Sequence, residues 1–316
     1  MAVPVVRYEH EAAIRWGVIA AGRITPIPGD FPTTGDLVRR VTPAALRALG
    51  GDGIDAATVR LLAPVTRNQR FVCQGANYRQ HMIDSGVDPD AKTFNMIFTK
   101  APSCIVPADS DVVRPKTVRF LDWEIELGLV LRRDVTAPVT VTDATLHEFV
   151  AGAVIVNDYS ARDVQIPQMQ FYKGKSFRTF GPVGPWLCLL EPADVPLLRD
   201  LRLRLTVNGE VRQQDTTANL VYGPAETLTE LAGVHDLYAG DLLATGTPAG
   251  CALAIPPPLV QRFVGLLPEA TKWSLFLAAQ ARRPYLQPGD VVEARIASAD
   301  GRLDLGVQQN RIVAED

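Results

Sequence analysis

Between Phe120 and Leu131 the chain is almost wholly apolar, yet two glutamates, Glu124 and Glu126, interrupt it two residues apart. A strand sends successive side chains to opposite faces, so both carboxylates share one face, and Asp122 falls on it too. Like charges stacked on a half-buried strand repel one another and lose hydration. Two arrangements relieve that cost: a solvent-exposed strand face, or a cation held between the carboxylates. Other short apolar or β-branched runs, at 71–73, 97–99 and 150–156, alternate with Gly- and Pro-rich turns and read as buried elements, mostly strands. Residues 201–207 alternate leucine with arginine, and Asn208-Gly209 then supplies the positive-φ pair of a tight hairpin before Glu210-Val211. Related turn-strand units stand at 239–244 and 287–293. Helical spacing is confined to 78–85, 143–150, 225–234 and 258–282. This pattern predicts a β-rich α+β fold, without the regular strand-helix alternation of a parallel α/β protein.

The first 66 residues form a distinct stretch. Strand patterns at 5–8 and 14–19 are joined by a turn at 9–12, Thr42-Pro43 has the polar cap and early proline of a helix start, and a proline break follows at Pro64. The expectation is a small N-terminal domain over 1–66 and a larger one over 67–316. The 316 residues can bury a full core. A hydrophobic share of 47%, a charged share of 21% and a net charge of -3, with no basic run longer than two, give no reason to expect nucleic acid. Cys73, Cys104, Cys188 and Cys251 are far apart, with neither metal-type nor redox-type spacing, and read as reduced thiols of a cytoplasmic protein. No leader pattern is evident at the start, and no apolar run approaches the roughly 20 residues of a membrane span.

Chemistry concentrates in a few places. The apolar run 150–156 ends in Asn157-Asp158-Tyr159-Ser160-Ala161-Arg162-Asp163. Asp158 either caps the turn there or joins Glu124 and Glu126 as a third oxygen ligand, and Asp163 reads as a partner of Arg162. Three oxygen ligands without histidine or cysteine suit Mg²⁺ or Mn²⁺, with Ca²⁺ an alternative and zinc disfavoured. On a helix opening near Tyr78, Asp84 lies three residues past His81 on the same face, either a surface ion pair or a general base with its orienting carboxylate. Lys175 sits among Phe171, Tyr172, Phe177 and Phe180, as a snorkelling surface residue or a buried cation. The loop Thr245-Gly246-Thr247-Pro248-Ala249-Gly250 offers hydroxyls and backbone N–H groups to an anion.

Taken together these pieces resemble the fumarylacetoacetate hydrolase family. The matching motifs stand in family order: Gly75-x-Asn77-Tyr78-x-x-His81, Lys100 with Pro102-Ser103, Glu124-x-Glu126, the run from Asn157 to Gln165, Gly174-Lys175-Ser176-Phe177, the Val207-Asn208-Gly209-Glu210 hairpin, and the loop from Thr245 to Gly250. The resemblance covers nearly the whole chain, and residues 5–65 look like the small N-terminal domain of bacterial members. It implies a mixed β-sandwich or roll catalytic domain, commonly a homodimer, with Mg²⁺ or Mn²⁺ on Glu124, Glu126 and Asp158. It also implies that Lys175 contacts the substrate's oxygens, that Tyr78, Lys100, Gln165 and Thr247 bind substrate, and that His81 is the base on a mobile lid helix. Family hydrolases often place a glutamate three positions after this histidine; here the residue is Asp84, one methylene shorter. About 25 residues beyond an ordinary connection separate the Thr-Gly-Thr-Pro loop from the last Pro-Gly-Asp strand. This insertion, at about 251–286, is expected to be a helical flap on the core or a dimer interface rather than a substrate lid.

The leading expectation is hydrolytic C–C cleavage of a small β-diketo acid such as an acylpyruvate or a fumarylpyruvate-like acid, with His81 activating water and Lys175 stabilising the departing enolate. The alternative on the same site is decarboxylation, isomerisation or hydration of a 2-oxo acid. A non-catalytic binding protein is a third reading, opposed by the intact acidic triad and Lys175.

Overall fold

The computed structural model describes residues 1–256 and 258–316; Pro257, inside the expected insertion, lies outside them. The chain opens on a hairpin of β1 (Val3–His10) and β2 (Ala13–Ala20), in which Glu11 and Ala12 both take positive φ, 51° and 60°. That backbone matches the right-handed twist of the two strands. β3 (Arg23–Pro26) pairs with β2, and α1 (Thr34–Arg40) follows a capping box in which Thr33 and Asp36 each accept the other's backbone N–H. α2 (Pro43–Arg47) begins where the Thr42 hydroxyl accepts from Ala45 N. β4 (Ile54–Asp55) pairs with β3 and β5 (Arg60–Leu62) with β1.

The larger part runs through β6 (Phe71–Gly75), α3 (Arg79–Asp84), β7 (Met96–Lys100), β8 (Ile105–Val106), β9 (Val112–Arg114), β10 (Leu121–Asp122), β11 (Ile125–Leu131), β12 (Val150–Asn157) and β13 (Ser160–Ala161). Then come α4 (Arg162–Gln165), α5 (Phe171–Lys175), β14 (Gly181–Pro182), β15 (Leu187–Leu189), β16 (Leu201–Val207), β17 (Glu210–Thr216), α6 (Pro224–Ala232) and β18 (Leu242–Ala244). α7 (Pro258–Gly265), α8 (Glu269–Gln280), β19 (Val291–Ser298) and β20 (Asp304–Ala314) complete the chain.

Two sheets dominate. One has the order β4-β3-β2-β1-β15-β12-β11-β18-β6-β7, with β5 also on β1; the other runs β17-β16-β19-β20-β9. Leu127, Leu129 and Ile155 of the first share a buried cluster with Leu201, Leu203, Leu205, Val292 and Ile296 of the second. On the first sheet's other face Val130 and Val154 join Val5, Trp16, Leu37 and Leu46 in a second cluster. β11 and β12 are thus covered on both sides, and this is why their sequences are continuously apolar. β16, by contrast, keeps Arg202 and Arg204 exposed between its buried leucines.

The β-rich α+β expectation holds, with two local differences. The helix expected over 143–150 is a single turn, Leu146–Glu148, because the β-branched run beginning at Val150 is taken into the central sheet. The helical span at 258–282 is two helices, since Pro268 has no N–H to continue α7 and instead caps α8.

Candidate metal centre

β11 and β12 are antiparallel neighbours with Ile125 opposite Asn157, so the residues that begin one and end the other meet at one edge of the sheet. Asp158 N donates to Glu124 O at 2.8 Å, and Asn157 Oδ1 accepts from Glu124 N at 3.0 Å. These bonds bring Glu124, Glu126 and Asp158 together. One carboxylate oxygen from each lies within 4.8 Å of the others, and all three residues are buried. β18, on the other side of β11, delivers Gly246, whose N–H donates to Glu126 Oε2 at 2.9 Å. Gly246 has φ +90°, and a Cβ there would stand 2.9 Å from Asn77 Cβ, so only glycine suits the position.

Cations close around the triad. Lys175 Nζ donates to Glu124 Oε2 at 2.8 Å and to Asp158 Oδ2 at 2.5 Å. Lys100 Nζ donates to Asp158 Oδ1 at 2.5 Å, and Arg162 Nη2 stands 2.6 Å from Glu124 Oε1. Burial pushes the Glu124 pKa up, but Lys175 and then Arg162 overcome this and hold it at about 2. Burial works the other way on the Lys175 ammonium, and Asp158 and Glu124 more than reverse it, keeping the charge on. Glu126 has no such partner. Burial first, then repulsion from Asp158 and Glu124, pushes its pKa well above the ordinary carboxylate range. Its Oε1 is buried with no hydrogen-bond partner among the described residues, as is Asn157 Nδ2. A buried anionic oxygen with nothing to pair with is costly. Three hard oxygen donors, one of them orphaned and facing two further carboxylates, fit a hard divalent cation.

Several expected residues are placed differently. Asp122, on the triad's face by alternation, turns away: its carboxylate accepts from Arg162 Nε at 2.8 Å and from the backbone N–H groups of Trp123, Ala252 and Leu253. It serves as the anchor of Arg162. Arg162 therefore pairs with Asp122 and Glu124 rather than Asp163, whose Oδ2 accepts from Arg119 N. Lys100 was expected to bind substrate, but it is wholly buried and also donates to Phe180 O at 2.7 Å, so it supports Asp158 from behind. The Thr247 hydroxyl commits its proton to Ile125 O at 2.9 Å and accepts from Gln213 Nε2 at 2.8 Å, which braces the loop and leaves no proton for a substrate. Gln165 uses its Oε1 to accept from Arg162 Nη1 at 2.8 Å. Among the described residues the buried Tyr78 hydroxyl has no hydrogen-bond partner; its pKa is raised by burial and then by Asp215 and Glu126, so it keeps its proton to donate.

His81 is half-buried on α3; burial lowers its pKa more than the charge of Glu124 raises it, so the ring is neutral near pH 7. Asp84 does not orient it. The Asp84 carboxylate is exposed and accepts from Gln80 Nε2 at 2.8 Å, and among the described residues no hydrogen bond joins it to His81. Both residues line a cleft of about 320 Å³ with Ser85, Gly250, Cys251, Leu253 and Arg283. Arg162, Gln213 and Arg283 escaped the sequence reading. Arg162 was visible only as a charge beside Asp163, and the other two lie on segments without a recognisable spacing.

Known proteins resemble this chain over most of its length. The family model described as fumarylacetoacetate hydrolase, C-terminal, matches residues 70–313. The oxaloacetate tautomerase YisK of Bacillus subtilis is 35% identical over 213 residues, covering 66% of this chain and 69% of that protein. Among solved structures, a 2-hydroxyhepta-2,4-diene-1,7-dioate isomerase from Mycobacterium marinum superposes with a TM-score of 0.71 at 25% identity, covering 99% of each chain. A fumarylacetoacetate hydrolase from Exiguobacterium antarcticum gives 0.69 at 29% identity, over 99% of this chain and 100% of the other.

Proposed function

Since the chain belongs to the fumarylacetoacetate hydrolase family, we propose that it is a metal-dependent isomerase interconverting the keto and enol forms of a small 2-oxo acid, with Mg²⁺ or Mn²⁺ held by Glu124, Glu126 and Asp158. A divalent ion bound there supplies Lewis-acid polarisation of the substrate's 2-oxo group. The protein's own groups do the rest. Lys175, kept charged by Asp158 and Glu124, faces the oxygen on which negative charge develops. The neutral His81 imidazole takes a proton from the carbon beside the carbonyl. The C–H electron pair becomes the C=C bond as the carbonyl π pair moves onto oxygen, and return of the proton from His81 to that oxygen completes the enol. Tyr78, whose buried hydroxyl has no partner among the described residues, is the group we assign to donate to the substrate.

The observation that carries this reading over C–C hydrolysis is the lone His81. Activating water asks for a base held and polarised by a carboxylate, and Asp84 is engaged by Gln80 instead. A proton beside a polarised 2-oxo group is the easier one for an unassisted imidazole. The names of the Bacillus and Mycobacterium relatives, a tautomerase and an isomerase, point the same way. The same reading takes the protein to be a cytoplasmic homodimer; no helix among the described residues is long and apolar enough to cross a membrane.

The test is a product analysis. Oxaloacetate and acylpyruvates are supplied with Mg²⁺ or Mn²⁺, with and without chelator, while enol absorbance, pyruvate and CO₂ are followed. Metal-dependent acceleration of enol-keto exchange without new products is expected. Faster appearance of pyruvate plus a second acid would return the assignment to hydrolysis, CO₂ release would make it a decarboxylase, and activity surviving complete chelation would exclude the metal site.

A further inference from the structure

Arg283, just past α8 in the inserted segment, lines the 320 Å³ cleft together with His81. Its Nε donates to Ala252 O at 3.0 Å, and among the described residues no carboxylate pairs with the guanidinium. That carbonyl belongs to a backbone segment which is itself bonded to the surroundings of the metal centre. Ala252 N donates to Asp122 Oδ1 at 2.8 Å, Asp122 Oδ2 accepts from Arg162 Nε at 2.8 Å, and Arg162 Nη2 stands 2.6 Å from Glu124 Oε1. Gln280 braces the same wall, donating to Ala254 O at 2.7 Å while its Oε1 accepts from Tyr285 Oη at 2.7 Å. The Arg283 guanidinium is exposed, held on one side by a backbone carbonyl and open on the other to the cleft it shares with His81, a disposition that can receive a planar anion.

We infer that Arg283 binds the second carboxylate of a dicarboxylic 2-oxo acid, so that the inserted segment sets a preference for diacids over monoacids. The inference rests on the 2-oxo acid reading. The acid's 2-oxo end lies at the triad and Lys175, and its far end extends along the cleft to the guanidinium fork. Asp84 lines the same cleft and repels an anion; it is exposed, as Arg283 is, but its carboxylate is already engaged by Gln80, whereas the Arg283 fork offers a directed contact. Competition from Asp84 for Arg283 as a latch across the cleft is the alternative the test must separate.

Thermal-shift titrations of the Mg²⁺-loaded protein with oxaloacetate and with pyruvate decide the matter. The parent protein is expected to bind oxaloacetate about 10- to 100-fold more tightly than pyruvate, the range of one charge-assisted contact. Arg283→Gln should collapse that ratio toward one, and Arg283→Lys should keep part of it. Unchanged melting temperatures without ligand show that both variants fold. Equal binding of the two acids by the parent protein, or equal weakening of both in Arg283→Gln, overturns the inference; the second result is what a latch predicts. A diacid preference lost in Arg283→Gln with no enol-keto exchange upholds Arg283 and removes the tautomerase reading. Exchange without a preference does the reverse.

Discussion

At the scale of single residues, Glu126 carries the electrostatic strain of the site. Burial and the charges of Asp158 and Glu124 raise its folded-state pKa, so between the ordinary value of 4.5 and that raised value the metal-free folded protein binds a proton the unfolded chain does not. Stability from this proton is fully present below pH 4.5 and is lost as pH rises through the folded pKa. Glu124 has the opposite sign: held at about 2 by Lys175 and Arg162 against burial, it contributes stability above pH 4.5 that disappears as pH falls toward 2. Chelator-treated protein should therefore melt at lower temperature as pH climbs above about 5, and added Mg²⁺ should remove that slope by displacing the proton. In Glu126→Gln the slope should vanish without metal, and metal affinity should fall by at least about 10- to 100-fold, the loss seen when mere supporting partners of ligands are removed. Melting curves against pH with and without Mg²⁺ check this; a metal-free protein whose stability does not fall as pH rises above about 5 would contradict it. Alternation paired Glu124 with Glu126 but put Asp122 on the same face, and Asp122 instead anchors Arg162; Asp158 stood open between a turn cap and a ligand, and only the family resemblance singled it out. Lys100 and Thr247 lie beside the triad with their donors committed to Asp158 and to Ile125 O, which sequence order cannot announce because it does not tell from which side a side chain approaches.

Among the elements, the short helix α3 shows where spacing misleads. Three residues along a helix bring His81 and Asp84 to one face, but four bring Gln80 to Asp84, and that pair takes the hydrogen bond. α3 has only six residues and no side-chain cap at Tyr78; Met82 in the core and an exposed Arg79–Asp90 ion pair hold it. If Asp84 has no part in orienting the base, Asp84→Ala should stay within about 0.5 kcal/mol of the parent in stability and change kcat/KM by less than about threefold. A fall of about 100-fold, in the range of general-base assistance, would mean that a closed lid brings Asp84 onto His81 and would restore the hydrolytic dyad. The strands were legible because burial on both faces leaves unbroken apolar runs and burial on one leaves alternation, as in β16. Helices were less so: Val150 could extend a helical pattern from residue 143 or open a strand, and only the neighbouring β11 and β15 decide it.

For the whole molecule, the question is whether residues 1–66 stand alone. β1 pairs with β15, Val3 opposite Leu189 and Val5 opposite Leu187, so the N-terminal strands continue the sheet that carries the triad. Val5, Trp16, Leu37 and Leu46 share one buried cluster with Val130, Val154, Leu187 and Ala244. No pattern in the sequence could announce this, because a strand that completes a local meander and one that also joins a distant partner look alike. The mechanical consequence is that β12, which ends in Asp158, is one strand removed from β1. Removing residues 1–66 would leave β15 as a bare edge with unpaired N–H and C=O groups and uncover apolar side chains worth about 1.5–3 kcal/mol each if fully exposed. Against a net stability of about 5–15 kcal/mol for an ordinary domain, losing cover over a few of them suffices to unfold the remainder or drive it to aggregate. Residues 67–316 expressed alone should therefore be insoluble or lack a cooperative melt, and should bind no Mg²⁺. A soluble 67–316 fragment with parent-like metal affinity would show instead that the small domain is autonomous and that β15 tolerates an open edge.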